Sequence, residues 1–306
     1  MASRRARGFA LGVRVLMRRQ DWGAAPALVR RARRVFGPPA LLRWMGTRGV
    51  RVDRVMDGGV RGEWISARRY GRGVVLFLHG GGYVSCSPTT HRPMAAGIAR
   101  VTGRRVFSLD YRLAPENRFP AALDDAVAAY RWLLDAGTAP GAIALAGDSA
   151  GGGLVLATLL RVRDAGLPLP GHGVCFSPWT DLAGTGASLR GNDGRCPTFR
   201  PKNIPDFARV YLGTASPTDP YASPVFADLR GLPPLLFQVS SNELLLDDSR
   251  RVHDAVRAGG GVSTLDVFDD LFHGWQMMDG FMPEARIALG RVAAFLSPAD
   301  RLDNGD

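Results

Sequence analysis

Beyond residue 50, short apolar runs alternate with longer segments whose apolar positions recur every three to four residues. VVLFLH (74–79), RVFSLD (105–110), AIALAGD (142–148), GVCFSPW (173–179), PPLLFQVSS (233–241) and TLDVFDD (264–270) are continuous enough for strands buried on both faces. The helical period predicts helices over 93–103, 120–137, 150–166, 246–258 and 281–296. Ahead of them, VRVDRVMDGGVRGEWISA (50–67) reads as a hairpin turning at Asp57–Gly58–Gly59. Apolar strands each followed by a helix specify a parallel sheet covered on both faces, an α/β class.

Two stretches depart from this alternation. In residues 1–50, Leu11, Val15 and Leu16, and then Leu28, Ala32, Val35 and Phe36, recur at helical spacing among arginines. They predict two amphipathic helices, the second ended by Pro38–Pro39. Residues 181–231 are rich in Gly, Pro, Asp and Arg with little periodicity, and read as an excursion from the sheet rather than a separate domain. The remaining segments, 51–180 and 232–306, carry the core. No apolar run approaches the length of a membrane span. Arg14 breaks what would be the apolar region of a signal peptide, so a cytoplasmic protein is expected.

Charge changes this picture only at one end. Of the net +11 on 306 residues, all sits in residues 1–57, which hold fourteen arginines against three aspartates. Lys202 is the only lysine, so an arginine bias contributes to the basic balance. No recognisable nucleic-acid module accompanies it, and no nucleic-acid partner is expected. The segment could instead attract an anionic substrate or lipid surface, giving a peripheral membrane contact; a merely solvated, arginine-biased face is the favoured reading. Cys86, Cys175 and Cys196 are odd in number and spaced for neither a disulfide framework nor a zinc site. Free thiols in a reducing compartment follow.

The chemistry starts at GDSAGG (147–152), a Gly-x-Ser-x-Gly turn between a predicted strand and a predicted helix. A sharp turn there needs small residues two before and two after Ser149, and Gly147 and Gly151 supply them. A serine hydroxyl needs a base to act as nucleophile. Of five histidines, His273 alone lies in the loop between the last strand and the last helix, on the same sheet edge as Ser149. An acid must orient that base. Glu243, in the loop after PPLLFQVSS, is favoured by position, with Asp247, one turn into the next helix, as the alternative. The order Ser, acid, His is that of α/β-hydrolases. HGGG (79–82) then gains a role: Gly81 and Gly82, joined by Ala150, can bring bare N–H groups within ~3 Å of an oxyanion. His79 reads as structural, orienting the loop.

Taken together, HGGGYV (79–84), DYRLAPE (110–116), FPAALDD (119–125), GDSAGG (147–152) and HGW (273–275, more commonly HGF) resemble the hormone-sensitive-lipase-like carboxylesterases, in order and in spacing, over about residues 50–297. The resemblance implies an α/β-hydrolase fold, with a mostly parallel eight-stranded sheet, helices on both faces and a helical cap built from 1–50 and 181–231. It implies Ser149 as nucleophile, His273 as base, and Gly81, Gly82 and Ala150 as oxyanion donors. The family's acid opens an Asp-Pro-Leu-x-Asp motif thirty residues before the histidine; here that segment is Glu-Leu-Leu-Leu-Asp (243–247), aligning Glu243 and leaving Asp247 open. Hydrolysis of short- to medium-chain carboxylic esters without metal or organic cofactor is the expected function, and a homodimer an expectation of the family. Amide, formamide or lactone hydrolysis with the same triad is the alternative. Non-catalytic receptors on this fold lack the base histidine, which is present here as His273.

Overall fold

Eight strands form one sheet: β1 (Val50–Asp57), β2 (Val60–Ala67), β3 (Val74–Leu78), β4 (Arg105–Leu109), β5 (Ile143–Asp148), β6 (His172–Phe176), β7 (Leu235–Ser240) and β8 (Ser263–Phe268). The computed structural model describes residues 2–20, 22–71 and 73–297; residues 298–306, the end of the expected second core segment, lie outside them. The spatial order is β1-β2-β4-β3-β5-β6-β7-β8. β2 pairs antiparallel with β1 and with β4, and every pairing from β4 through β8 is parallel. The hairpin forms as expected, with Asp57 opposite Val60 and both Gly58 and Gly59 at positive φ, the requirement of a two-residue type I′ turn.

The helices are α1 (Arg4–Arg18), α2 (Ala25–Val35), α3 (Ala40–Gly46), α4 (Pro88–Thr102), α5 (Ala121–Asp135), α6 (Ala150–Asp164), α7 (Ser188–Gly191), α8 (Ile204–Leu212), α9 (Leu246–Ala258) and α10 (Pro283–Leu296). Side chains alternate across the sheet, as the pleat demands. Val75 and Phe77 of β3 join Met94 and Ile98 of α4 and Leu289 and Val292 of α10 on one face. Leu76 and Leu78 join Leu123 and Tyr130 of α5, Leu154 and Leu159 of α6, and Val252 of α9 on the other. Both faces being covered explains why β3 to β7 read as unbroken apolar runs, whereas TLDVFDD forms the edge strand β8, which is only partly buried, with Val267 41% exposed.

Three local features differ from the sequence reading. α4 begins at Pro88, five residues before the expected start: the Ser87 N–H donates to Thr90 Oγ1 at 2.9 Å and Pro88 sits in the first turn, which together open the helix. Pro38–Pro39 does not only end a helix; α2 stops at Val35, and Pro39 leads into the extra short helix α3. On α1 the buried side is Ala6 and Met17 with Phe9 and Val13, whereas Leu11, Val15 and Leu16 face outward. Spacing alone cannot tell which side of a helix with two apolar stripes meets the core.

The strand order places the chemistry. β3 leads leftward to β4 and β5 lies to its right, so the sheet changes direction between β3 and β5. Loops after parallel strands emerge together at that switch point, where α/β sheets gather ligands. Leu78, the last residue of β3, is paired with Gly147, two residues before Ser149.

Candidate active site

Ser149 occupies the tip of the β5–α6 turn with φ 55° and ψ −122°, a backbone conformation that non-glycine residues rarely adopt. Two hydrogen bonds with the end of β6 and the loop after it hold it there: its N–H donates to Phe176 O at 2.8 Å, and its carbonyl accepts from Trp179 N–H at 2.8 Å. The flanking glycines answer to close approach. A Cβ on Gly151 would lie 2.0 Å from the Leu78 carbonyl oxygen, and one on Gly147 would lie 2.4 Å from that of Gly151.

The β3–α4 loop runs alongside. The Gly81 carbonyl accepts from Val84 N–H and Ser85 N–H, both at 3.2 Å, and from Ser85 Oγ at 2.8 Å. That converging set folds the loop back, with Gly81 at φ 119° and Gly82 at φ 63°. Among the described residues the N–H groups of Gly81, Gly82 and Ala150 meet no acceptor. Ala150 is the first residue of α6, whose positive dipole end adds to the field there. Gly80 behaves differently, donating to Asp148 Oδ1 at 2.9 Å.

Asp148 is buried and also meets His91 Nε2 of α4 at 3.3 Å. Burial works to raise its carboxyl, but His91, His273 and the Gly80 N–H outweigh it and hold it below the usual range. A carboxylate therefore clamps the nucleophile turn to the glycine loop. His79 stacks on Tyr111 with ring centroids 4.2 Å apart, and its Nδ1 lies 2.7 Å from Gly80 O. Burial first, then the neighbouring His91, push it down to about 3, so it is a neutral packing group. This agrees with its expected structural part.

His273 follows β8 and brings Nδ1 to 2.5 Å from Glu243 Oε2. Glu243 is 1% exposed, and its other oxygen accepts from Ser177 Oγ at 2.7 Å and from Ser240 N–H at 2.8 Å. Such a buried carboxylate is held in one orientation by its partners. Asp247 goes elsewhere: its Oδ2 accepts from Ser188 N–H at 2.7 Å, and its N–H donates to Ser188 Oγ at 2.9 Å. It therefore fastens α7 to the start of α9 and makes no bond to His273. Of the two carboxylates left open by the sequence, Glu243 is the one hydrogen-bonded to His273.

His273 Nε2 is buried and has no hydrogen-bond partner among the described residues. It and Ser149 line one cavity of about 590 Å3, together with Gly81 and Gly82. Phe36, Phe199, Phe207, Trp179, Leu245 and Met277 make much of its wall apolar. The roof comes from the two stretches that broke the strand–helix pattern. Phe36, just past α2, stacks on Phe207 of α8 at 5.8 Å, and Trp22 packs against both. Thr198 Oγ1 accepts from His273 N–H at 3.2 Å, and the Phe199 ring meets the His273 ring edge-on at 5.1 Å.

Sequence reasoning missed Ser177, Thr198, Phe199 and Asp148 as supports of this site. Asp148 carried a signal, being inside GDSAGG; Ser177 stood in an apolar run read as a strand, Thr198 and Phe199 in an aperiodic stretch, and these three carried none. Among the described residues no group of three or more His, Cys, Asp or Glu side chains is placed to hold a metal ion. No helix among them is long and apolar enough to cross a membrane.

Comparison with known proteins places relatives beside this geometry. A family described as having the alpha/beta hydrolase fold matches residues 75–277. The chain is 43% identical over 247 residues to an acetyl-hydrolase of Streptomyces hygroscopicus, covering 81% of this chain and 83% of that one. It is 34% identical over 252 residues to an esterase of Acinetobacter venetianus, covering 82% and 83%. Among solved structures it is similar to an esterase from the bacterial hormone-sensitive lipase family, with a TM-score of 0.87 and 42% identity over 97% of this chain and 98% of that one. It is also similar to the esterase EstE5, soaked with p-nitrophenyl butyrate, with a TM-score of 0.79 and 41% identity over 89% and 97%.

Proposed function

The chain belongs to the α/β-hydrolase family, among its hormone-sensitive-lipase-like carboxylesterases, and on that premise we propose that Ser149, His273 and Glu243 carry out the ester hydrolysis. His273 Nε2 takes the proton of Ser149 Oγ as the oxygen attacks the ester carbonyl. Glu243, held by Ser177 and Ser240, fixes the proton on His273 Nδ1 and stabilises the imidazolium that forms. The new oxyanion is received by the N–H groups of Gly81, Gly82 and Ala150, which have no acceptor among the described residues to give up. His273 then hands its proton to the leaving alcohol, leaving an acyl group on Ser149. Water, deprotonated by the same histidine, releases the acid.

The observation that carries this reading is the Glu243–His273 bond at 2.5 Å, made while Ser149 lines the same cavity as His273. The roof over that cavity, residues 1–50 with 181–231, serves as a cap on the core segments 51–180 and 232–306. The apolar wall supports acyl and alcohol groups of short to medium length. The names of two relatives, an acetyl-hydrolase and an esterase soaked with a butyrate ester, favour the short end.

The test is Ser149→Ala assayed on p-nitrophenyl acetate, butyrate and palmitate beside the parent. The parent is expected to prefer the two shorter esters by kcat/KM, and the variant to lose turnover while keeping the parent's Tm. A serine-reactive phosphonate should label only the parent, at Ser149. Turnover retained by the variant would overturn the assignment.

A further inference from the structure

Twelve large apolar side chains are exposed among the described residues, and six of them sit on α1 and α3. On α1 these are Leu11, Val15 and Leu16; on α3 they are Leu41, Trp44 and Met45, with Leu11 64% and Trp44 60% exposed. The two helices are neighbours: Phe9 and Val13 of α1 and Leu42 of α3 pack against one buried cluster and line one cavity. α1 thus has apolar residues on both sides: one stripe for the core and a second facing out. A core-packing requirement accounts for the first stripe only.

The outward stripe lies among cations. Arg4, Arg5, Arg7, Arg14 and Arg19 are exposed, and none has a carboxylate partner among the described residues. Arg18 is excluded from this group, since it pairs with Asp193 and donates to Cys196 O. α1 contains no acidic residue, and the whole of the chain's +11 lies in residues 1–57. The same helix forms the edge of the cavity that holds Ser149, which Arg5, Gly8, Gly12 and Leu16 line.

We propose that the outer face of α1 and α3 docks on an anionic lipid surface, with Leu11, Val15, Leu41 and Trp44 entering the headgroup boundary and the unpaired arginines meeting lipid phosphates. The charge complementarity selects this occupant. An arginine-studded surface facing a second copy of itself would meet like charge, whereas a bilayer of acidic phospholipid meets it with the opposite sign. Apolar side chains flanked by arginines on a helix lying flat match interfacial helices, whose long basic side chains extend to the headgroups. The cavity edge at Leu16 would then face the bilayer, so that ester-bearing amphiphiles could enter without crossing bulk water.

The test is sedimentation with vesicles of phosphatidylglycerol and phosphatidylcholine, against vesicles of phosphatidylcholine alone, using the full chain. Binding to the anionic vesicles is expected, with little to the neutral ones, and should weaken as salt is raised. The triple variant Leu11→Ser/Val15→Ser/Trp44→Ser should bind the anionic vesicles about tenfold more weakly. Its turnover of a soluble acetate ester should stay at the parent's value, which reports that it is folded. Equal vesicle binding by parent and variant would overturn the proposal. So would a dimer of the parent in sedimentation equilibrium that the same three substitutions split, because the surface would then belong to a second copy.

Discussion

Arg33 of α2 donates its Nε–H to the carbonyl oxygen of Val84 at 2.9 Å, three residues past Gly81 in the glycine loop. Its other nitrogens reach Ala114 O at 3.2 Å and both oxygens of Glu116, at 2.9 and 2.6 Å. Arg33 therefore ties together α2, the loop proposed to hold the oxyanion, and the segment after β4. The Glu116 pair is largely exposed and contributes little by itself. The value of the contact lies in fixing the Val84 carbonyl, since small displacements of positioning groups can cost as much as a hundredfold in rate. Arg33→Met, which keeps most of the stem, should lower kcat by about ten- to a hundredfold with little change in KM. Steady-state kinetics on a short aryl ester, with Tm as the folding control, decides it. A kcat equal to the parent's would mean that the loop holds its shape without α2.

The glycine loop itself makes a sharper case. A Cβ on Gly81 would fall 2.3 Å from the Ser85 carbonyl oxygen, and φ is 119°. Ala at this position must move the loop, and the proposed donors move with it. Gly81→Ala should cost about 10²–10³ in kcat, the scale of losing one oxyanion donor. Gly58→Ala, also at positive φ but with nothing within 4 Å, serves as control for backbone strain alone. Its activity should match the parent's while its Tm falls.

Two carboxylates four residues apart have separate partners, and their substitutions should separate too. Glu243→Gln keeps the size of the side chain but removes the charge that stabilises a protonated His273, and should lower kcat by about ten-thousand-fold. Asp247→Ala removes the acceptor for Ser188 N–H and should leave kcat near the parent's value. It loses about 1 kcal/mol of hydrogen bonding, or about 1–2 °C in Tm for a chain of this length. The reverse ranking in kcat would transfer the acid's role to Asp247.

The parts of the site that were legible in the sequence are those whose chemistry constrains residue type. A Gly-x-Ser-x-Gly turn admits little else where Gly151 lies against Leu78 O, and a run of glycines is otherwise costly. Strands buried on both faces announce themselves because few polar side chains fit there. Supports that act through a single side-chain oxygen carry no such mark: Ser177 and Thr198 look like any loop hydroxyl until Glu243 and His273 are beside them. The early start of α4 depended on a Ser–Thr pair, a less familiar opening than Ser followed by Glu. The orientation of α1 depended on which of two apolar stripes the core accepts, a tertiary choice that no local period encodes.

Asp248 has no part in the proposed chemistry and offers a test through stability instead. Its carboxylate is buried, and Oδ1 accepts from Thr180 N–H at 2.7 Å and Asp181 N–H at 3.0 Å. Burial pushes it up to about 8; the charge of Asp181 adds to this, and the two N–H groups and Arg251 oppose it. In the unfolded chain the same group titrates near the ordinary aspartate value of about 3.9. Between those two values the folded state holds a proton that the unfolded state has released. Stability therefore falls as pH rises through that window and levels off beyond about 8. Asp248→Asn keeps an oxygen for the two N–H groups and cannot ionise. Urea unfolding at pH 5 should find the variant close to the parent. At pH 8.5 the variant should be the more stable of the two, because the parent alone must hold a buried charge. Equal pH slopes for parent and variant would show that Asp248 ionises freely within the fold.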